Sequence, residues 1–83
     1  MHVVYAQKAA AQLAALPADI QKRIAKKMRF YAAQEEPLRF AKRLTDYREG
    51  DFAFRVGMYR LTFDVVQNII YILKVEKRDK SYD

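Results

Sequence analysis

Residues 52–76 read FAFRVGMYRLTFDVVQNIIYILKVE, and the prediction of the fold rests mainly on this stretch. Apolar and polar side chains alternate along it with a period of two, which is typical of half-buried strands. The pairs Gly57-Met58 and Gln67-Asn68 interrupt the alternation and supply tight turns. The stretch therefore predicts three strands joined by short turns, which is an antiparallel meander.

The same alternation assigns each side chain to a face of the sheet. In the second strand it predicts one apolar face, formed by Tyr59, Leu61, Phe63 and Val65. In the third strand it predicts one face with Ile69, Tyr71, Leu73 and Val75, and an opposite face with Ile70, Ile72, Lys74 and Glu76. We expect Ile70 and Ile72, the two apolar residues of this opposite face, to be covered by the C-terminus, a second copy or another polypeptide.

Two helices are predicted upstream of the meander. A short strand at 2–5 leads into a first helix over 6–16, and Pro17 opens a second helix that ends before Pro37. The apolar stripe of the second helix is Ile20, Ile24, Met28 and Tyr31. Residues 38–47 are either one helical turn or a connector. The predicted class is α+β, a single domain over 1–83 with two N-terminal helices, as a helical hairpin, on a small twisted antiparallel sheet of about four strands.

Composition limits the possible functions. The 83 residues are 52% apolar and 31% charged, enough for one modest core. Without cysteine and with a single histidine, the chain is expected to need neither metal nor other cofactor. The longest apolar run, Ile69–Leu73, is too short to cross a membrane and no export signal is visible, so a cytoplasmic protein without a membrane partner is expected. The net charge of +6 favours polyanionic partners.

The cations concentrate in and after the predicted sheet. Arginine binds phosphate oxygens through its two-pronged guanidinium, and lysine acts as a point charge. The residues expected to face a phosphate-bearing partner, for which RNA is the favoured choice, are Arg55, Arg60, Lys74, Lys77, Arg78 and Tyr82. The alternative interpretation is that Arg60 pairs with Asp64 or Glu76 across strands, with residues 77–80 as a solvated end.

Four segments together resemble the RelE/ParE superfamily of bacterial toxins. The first is AxxLxxLPxxIQxRI over 10–24, and the others are AKRL at 41–44, FRVGMYRLTFDV at 54–65 and LKVEKRDKSYD at 73–83. The resemblance covers nearly the whole chain. It implies a toxin made beside a cognate antitoxin that wraps and neutralises it, as a toxin–antitoxin hetero-oligomer.

Two activities are implied by this resemblance. RelE-like members cleave mRNA in the ribosomal A site without a metal, and ParE-like members poison DNA gyrase. Arg55 and Arg60 match the family's strand arginines, Arg78 the arginine after the last strand and Tyr82 the C-terminal tyrosine. Lys77 stands where many relatives have histidine. The expected catalytic residues are then Arg60, Lys77, Arg78 and Tyr82, and the expected nucleic-acid-binding residues are Lys42, Arg43, Arg55 and Lys74.

The chain departs from the RelE pattern just before the meander. RelE has two catalytic lysines there, and the aligned positions in this chain are Asp51 and Ala53. The general base would have to come from Lys77, Lys74, Lys42 or Arg43. The leading hypothesis is an mRNA endoribonuclease that inhibits translation and arrests growth. The alternatives are a gyrase inhibitor and a catalytically weak toxin fold that only binds its antitoxin.

Overall fold

The computed structural model describes residues 1–45 and 49–77. It confirms the α+β class, with two helices and five strands. As predicted, both helices precede the three strands of the meander. In chain order the elements are β1 (His2–Tyr5), α1 (Gln7–Ala14), α2 (Ala18–Ala33), a 3₁₀ turn (Pro37–Phe40), β2 (Lys42–Arg43), β3 (Phe52–Val56), β4 (Tyr59–Val66) and β5 (Ile69–Lys77).

The sheet has the strand order β1-β5-β4-β3-β2. The predicted meander β3–β4–β5 is present, and β1 lies at an edge of the sheet. The sheet is mixed rather than fully antiparallel, because β1 runs parallel to β5 with His2 opposite Ile69. It also has one strand more than the four predicted, since the two-residue strand β2 pairs with the start of β3.

The helices cover one face of the sheet, which we call the helix side. Ile24, Met28 and Tyr31 of the predicted stripe are buried, while Ile20 is half-buried against the same core. Pro17 caps the start of α2, and the helix ends at Ala33, before the 3₁₀ turn that begins at Pro37. An isolated short helix is marginal in water, so this apolar stripe is what stabilises α2 on the sheet.

Aromatic rings stack through the centre of the core. Phe54 lies between Phe63, at 4.5 Å between ring centroids, and Tyr31, at 4.4 Å. Phe52 extends the stack from the other side of Phe63 at 5.5 Å. Near-parallel rings at these distances contribute beyond the area that they bury. The stack therefore ties α2 to the two central antiparallel strands.

The prediction that Ile70 and Ile72 face away from the helices is wrong. Both are fully buried on the helix side, so no second copy or partner is needed to cover them. The reason is a one-residue register shift: Thr62 pairs with Lys74, whereas Phe63 pairs with Ile72, which leaves Leu73 as an extra residue. A β-bulge of this kind reverses the alternation of faces beyond it.

Candidate functional site

The opposite face of the sheet, which we call the outer face, carries a cleft of about 620 Å³. Its charged lining residues are Lys42, Arg55, Arg60, Lys74 and Lys77, together with the carboxylates Glu49 and Glu76. Phe40 and Leu44 also line it. We refer to this feature as the cationic cleft.

Strand register places the cleft residues in two rows. In the first row Arg55 of β3 lies opposite Arg60 of β4, which lies opposite Glu76 of β5. The β3–β4 turn sets this pairing, since Gly57 takes a φ of 59° that favours glycine. Two arginines from neighbouring strands therefore share one face.

The second row runs across four strands. Lys42 lies opposite Ala53, Ala53 opposite Thr62, and Thr62 opposite Lys74. The register shift at Leu73 is what allows Ile72 to face the core while Lys74, only two residues later, still shares the outer face with Arg60. The bulge thus changes the direction of side chains beside the cleft, which is a recurrent role of bulges near functional sites.

Glu49 and Glu76 form ion pairs with two cations of the cleft, Arg60 and Lys74. Arg60 Nη2 lies 2.9 Å from Glu76 Oε1 and 3.6 Å from Glu49 Oε2. Lys74 Nζ lies 3.5 Å from Glu76 Oε1 and 3.6 Å from Glu49 Oε1. The cross-strand pair Arg60–Glu76 that the alternative interpretation predicted is therefore present, and it stands inside the cleft. Arg60 thus belongs both to the group expected to face a phosphate-bearing partner and to the ion pair of the alternative interpretation.

The loop before β3 folds over the outer face and brings Glu49 to these cations. Gly50 has a φ of 140°, and a Cβ there would lie 2.8 Å from Thr62 Cγ2, so the position suits only glycine. The Asp51 amide donates a hydrogen bond of 2.8 Å to Asp64 Oδ1. Thr62 is fully buried beneath the loop, and its Oγ1 has no hydrogen-bond partner among residues 1–45 and 49–77.

The structure brings together Arg55, Arg60, Lys74 and Lys42 of the predicted site residues. Arg43 does not join them, because its register partner is Phe52, whose row lies on the helix side. Lys77 lies opposite Tyr59, also a helix-side position, and reaches the cleft only at the end of the sheet. Arg78 and Tyr82 lie outside the described residues.

Ala53 and Asp51 occupy the positions at which the RelE pattern has lysines, and the structure describes both residues. Ala53 is buried in the second row between Lys42 and Thr62, so lysine ammonium groups flank its row at β2 and β5. Asp51 is exposed at the loop end. From the sequence, no role in this site was assigned to three residues: Glu49 and Phe40, which line the cleft, and Thr62, which is buried under the loop.

Two further observations concern the described part of the chain. No group of three acidic, histidine or cysteine side chains there is arranged to hold a metal ion. None of its helices has the length and hydropathy required to cross a bilayer.

No protein-family model matches the chain, and neither does any curated protein. Among solved structures, the chain is similar to one chain in the crystal structure of the RelBE2 toxin–antitoxin complex from Mycobacterium tuberculosis. The two are 30% identical, with a TM-score of 0.74, and the match covers 93% of this chain and 96% of the other. The similarity therefore extends over the whole architecture rather than one motif.

Proposed function

Because this chain belongs to the RelE/ParE superfamily of toxins from toxin–antitoxin systems, we propose that it is a ribosome-dependent mRNA endoribonuclease that needs no metal. The observation that carries the proposal is the convergence of Arg55, Arg60, Lys74 and Lys42 on one cleft of the outer face. In this proposal the toxin acts in the cytoplasm on mRNA held by the ribosome, stops translation and arrests growth. A cognate antitoxin binds it in a hetero-oligomer and neutralises it.

The proposed reaction is attack of a ribose 2′-oxygen on the adjacent phosphorus. The bond from phosphorus to the 5′-oxygen breaks, which leaves a 2′,3′-cyclic phosphate and a 5′-hydroxyl. One group must accept the 2′-hydroxyl proton, another must donate a proton to the leaving oxygen, and cations must stabilise the phosphorane. No external oxidant, reductant or water is consumed in this step.

Arg60 and Arg55 are the proposed stabilising cations. They are paired across β3 and β4 and both line the cleft, so in this proposal one phosphate contacts both guanidinium groups. The Arg60–Glu76 contact of 2.9 Å orients the Arg60 side chain. Glu49 contacts Arg60 and Lys74 only at 3.6 Å, and a phosphate entering the cleft takes its place.

The proton acceptor comes from the second row or from the carboxylates beside it. Lys42 and Lys74 flank the row that contains Ala53, which places lysines around the position where the resemblance expects them. Glu49 and Glu76 add two carboxylates that can accept a proton. Arg78 and Tyr82 keep the roles that the resemblance implies, with Tyr82 as the acid or as the group that orients the base.

Primer-extension mapping of transcripts after induced expression tests the proposal. Cuts within codons of translated messages are expected, and Arg60→Ala should reduce their rate roughly 100-fold or more, since it removes a preorganised charge from the transition state. Tyr82→Ala should also relieve growth arrest. The matched control is Arg39→Ala, because Arg39 is an exposed arginine paired with Glu36 outside the cleft. Full cleavage by Arg60→Ala would refute the site assignment.

The same induction distinguishes the other two functions. DNA breaks and trapped gyrase with intact mRNA would instead identify a gyrase inhibitor. Unimpaired growth with stable antitoxin binding would identify a toxin fold that only binds its antitoxin.

A further inference from the structure

Two large aromatic side chains that contact each other are exposed, and one of them, Phe40, lines the cationic cleft. Phe30 of α2 and Phe40 of the 3₁₀ turn are 49% and 48% exposed. Their ring centroids are 5.9 Å apart with an interplanar angle of 75°. A scattered exposed apolar residue needs no explanation, but two phenylalanines in contact form a defined apolar surface.

This aromatic pair is fixed to the core. Tyr31 lies 5.6 Å from Phe40 and stacks at 4.4 Å on the fully buried Phe54. The Tyr31 hydroxyl also donates a hydrogen bond of 3.4 Å to the Arg55 carbonyl, within the strand that carries the cleft arginine. The exposed rings therefore stand at the end of a packed aromatic row, which holds them in position relative to the cleft.

A lysine lies near the aromatic pair on each side. Phe40 lines the cationic cleft together with Lys42, two residues further along the chain. On the α2 side, Lys27 Nζ lies 5.7 Å from the Phe30 ring centroid and 5.9 Å from that of Tyr31. Exposed aromatic rings beside a cationic groove are the combination with which proteins bind single-stranded nucleic acid, since bases stack on rings while cations contact phosphates.

We propose that Phe40, supported by Phe30, is a stacking surface for one unpaired RNA base whose neighbouring phosphate lies in the cationic cleft. The identity of the ligand as RNA rests on the proposed function. The charge around the patch favours a nucleic acid over an apolar protein segment. Stacking on a ring accepts every base, so this contact contributes affinity and position rather than sequence preference.

The test is fluorescence anisotropy with two labelled oligoribonucleotides at low salt, one intact and one with abasic residues that keep the phosphates. Phe40→Leu retains apolar bulk but removes the ring, so affinity for the intact RNA should fall about tenfold, whereas affinity for the abasic RNA should not change. Phe40→Tyr should bind like the unmodified protein. The control is Val66→Ala, because Val66 is similarly exposed, at 54%, on the outer end of β4.

Several outcomes would overturn the stacking surface. These are equal affinity of the unmodified protein for the two RNAs, absence of RNA binding, and an unchanged Kd for the intact RNA in Phe40→Leu. Loss of antitoxin binding in Phe40→Leu with unchanged RNA affinity would assign the patch to a protein partner. Thermal denaturation of each variant confirms that it is folded.

Primer-extension mapping on ribosomes separates this inference from the proposed function. mRNA cleavage together with base-independent RNA binding would remove the stacking surface and leave the endoribonuclease. Base-dependent binding that Phe40→Leu weakens, without any cleavage, would remove the endoribonuclease and leave the stacking surface.

Discussion

The two faces of the sheet are built from the same central strands but differ in what stabilises them. On the helix side, Leu61, Phe63 and Phe54 are fully buried in one apolar cluster with residues of α2. On the outer face, Arg60 and Lys74 keep 35% and 26% of their side chains exposed and meet two carboxylates. Buried apolar packing contributes several kcal/mol, whereas half-exposed ion pairs contribute little.

Because of this difference, residues that affect folding stability and residues of the proposed site alternate along the same strand. In β4 the alternation places Arg60, a residue of the proposed site, between the buried Leu61 and the partly buried Tyr59, which both belong to the helix side. Substitutions on the helix side should therefore act through folding. Substitutions of the half-exposed charged residues on the outer face should act through ligand binding, whereas substitution of the buried outer-face residue Thr62 should act through folding.

The largest effect is expected for Phe54→Ala. Phe54 is the central ring of the stack between Tyr31 and Phe63, and its removal leaves a cavity in the core. The expected loss is about 3–5 kcal/mol of unfolding free energy, which approaches the whole stability of a small domain. Urea denaturation followed by circular dichroism measures it. A loss below about 1 kcal/mol would show that the aromatic stack does not hold the core.

Ile72→Ala should cost somewhat less, about 2–4 kcal/mol, because Ile72 is fully buried on the helix side. The exposed Val66 serves as the control, and Val66→Ala should change stability by no more than about 0.5 kcal/mol. The same denaturation experiment applies. Equal, small effects in both variants would place Ile72 on the outer face and contradict the bulge at Leu73.

Thr62→Val should stabilise the protein by about 1 kcal/mol. The Thr62 hydroxyl is buried under the loop without a partner among the described residues, and valine has the same shape without a group to desolvate. The measurement is the shift in urea midpoint. Destabilisation would mean that the hydroxyl is hydrogen-bonded in solution.

The smallest change in stability, within about 0.5 kcal/mol, is expected for Glu49→Gln, because its carboxylate is half-exposed. RNA affinity should nevertheless rise several-fold, since one negative charge no longer competes with phosphate for Arg60 and Lys74. Anisotropy titrations at two salt concentrations measure this gain, which high salt should reduce. Glu36→Gln is the matched control, as Glu36 pairs with Arg39 away from the cleft. An equal gain in both variants would point to net charge rather than the cleft.

Most of the architecture could be predicted from the sequence because it follows from periodicity. The meander turns at Gly57 and Gln67 and the α2 stripe are local patterns, and the structure confirms them. The orientation of Ile70 and Ile72 could not be predicted, because strict alternation cannot reveal an extra residue that only the pairing with β4 defines. Strand β2, two residues long, is too short to show any period.

The candidate site could be predicted only in part, and for a similar reason. Arg55, Arg60 and Lys74 follow from alternation along the central strands, so their convergence required only the register. Glu49 reaches the cleft because of the path of a loop. A loop has no periodicity in its sequence from which that path could be predicted. Lys42 and Arg43 were both expected at the site, yet adjacent residues of a strand point to opposite faces, and only Lys42 lines the cleft.

The parallel pairing of β1 with β5 also has a kinetic consequence. The hairpins β3–β4 and β4–β5 join residues that are close in sequence, whereas His2 must find Ile69 near the other end of the described chain. Closing so long a loop is entropically slow, so local hairpins should form first and β1 should dock last. Arg55, Arg60 and Lys74 all belong to those hairpins. The cationic cleft should then assemble before the sheet is complete, and the N-terminal strand should be the first part to open and exchange its amide hydrogens.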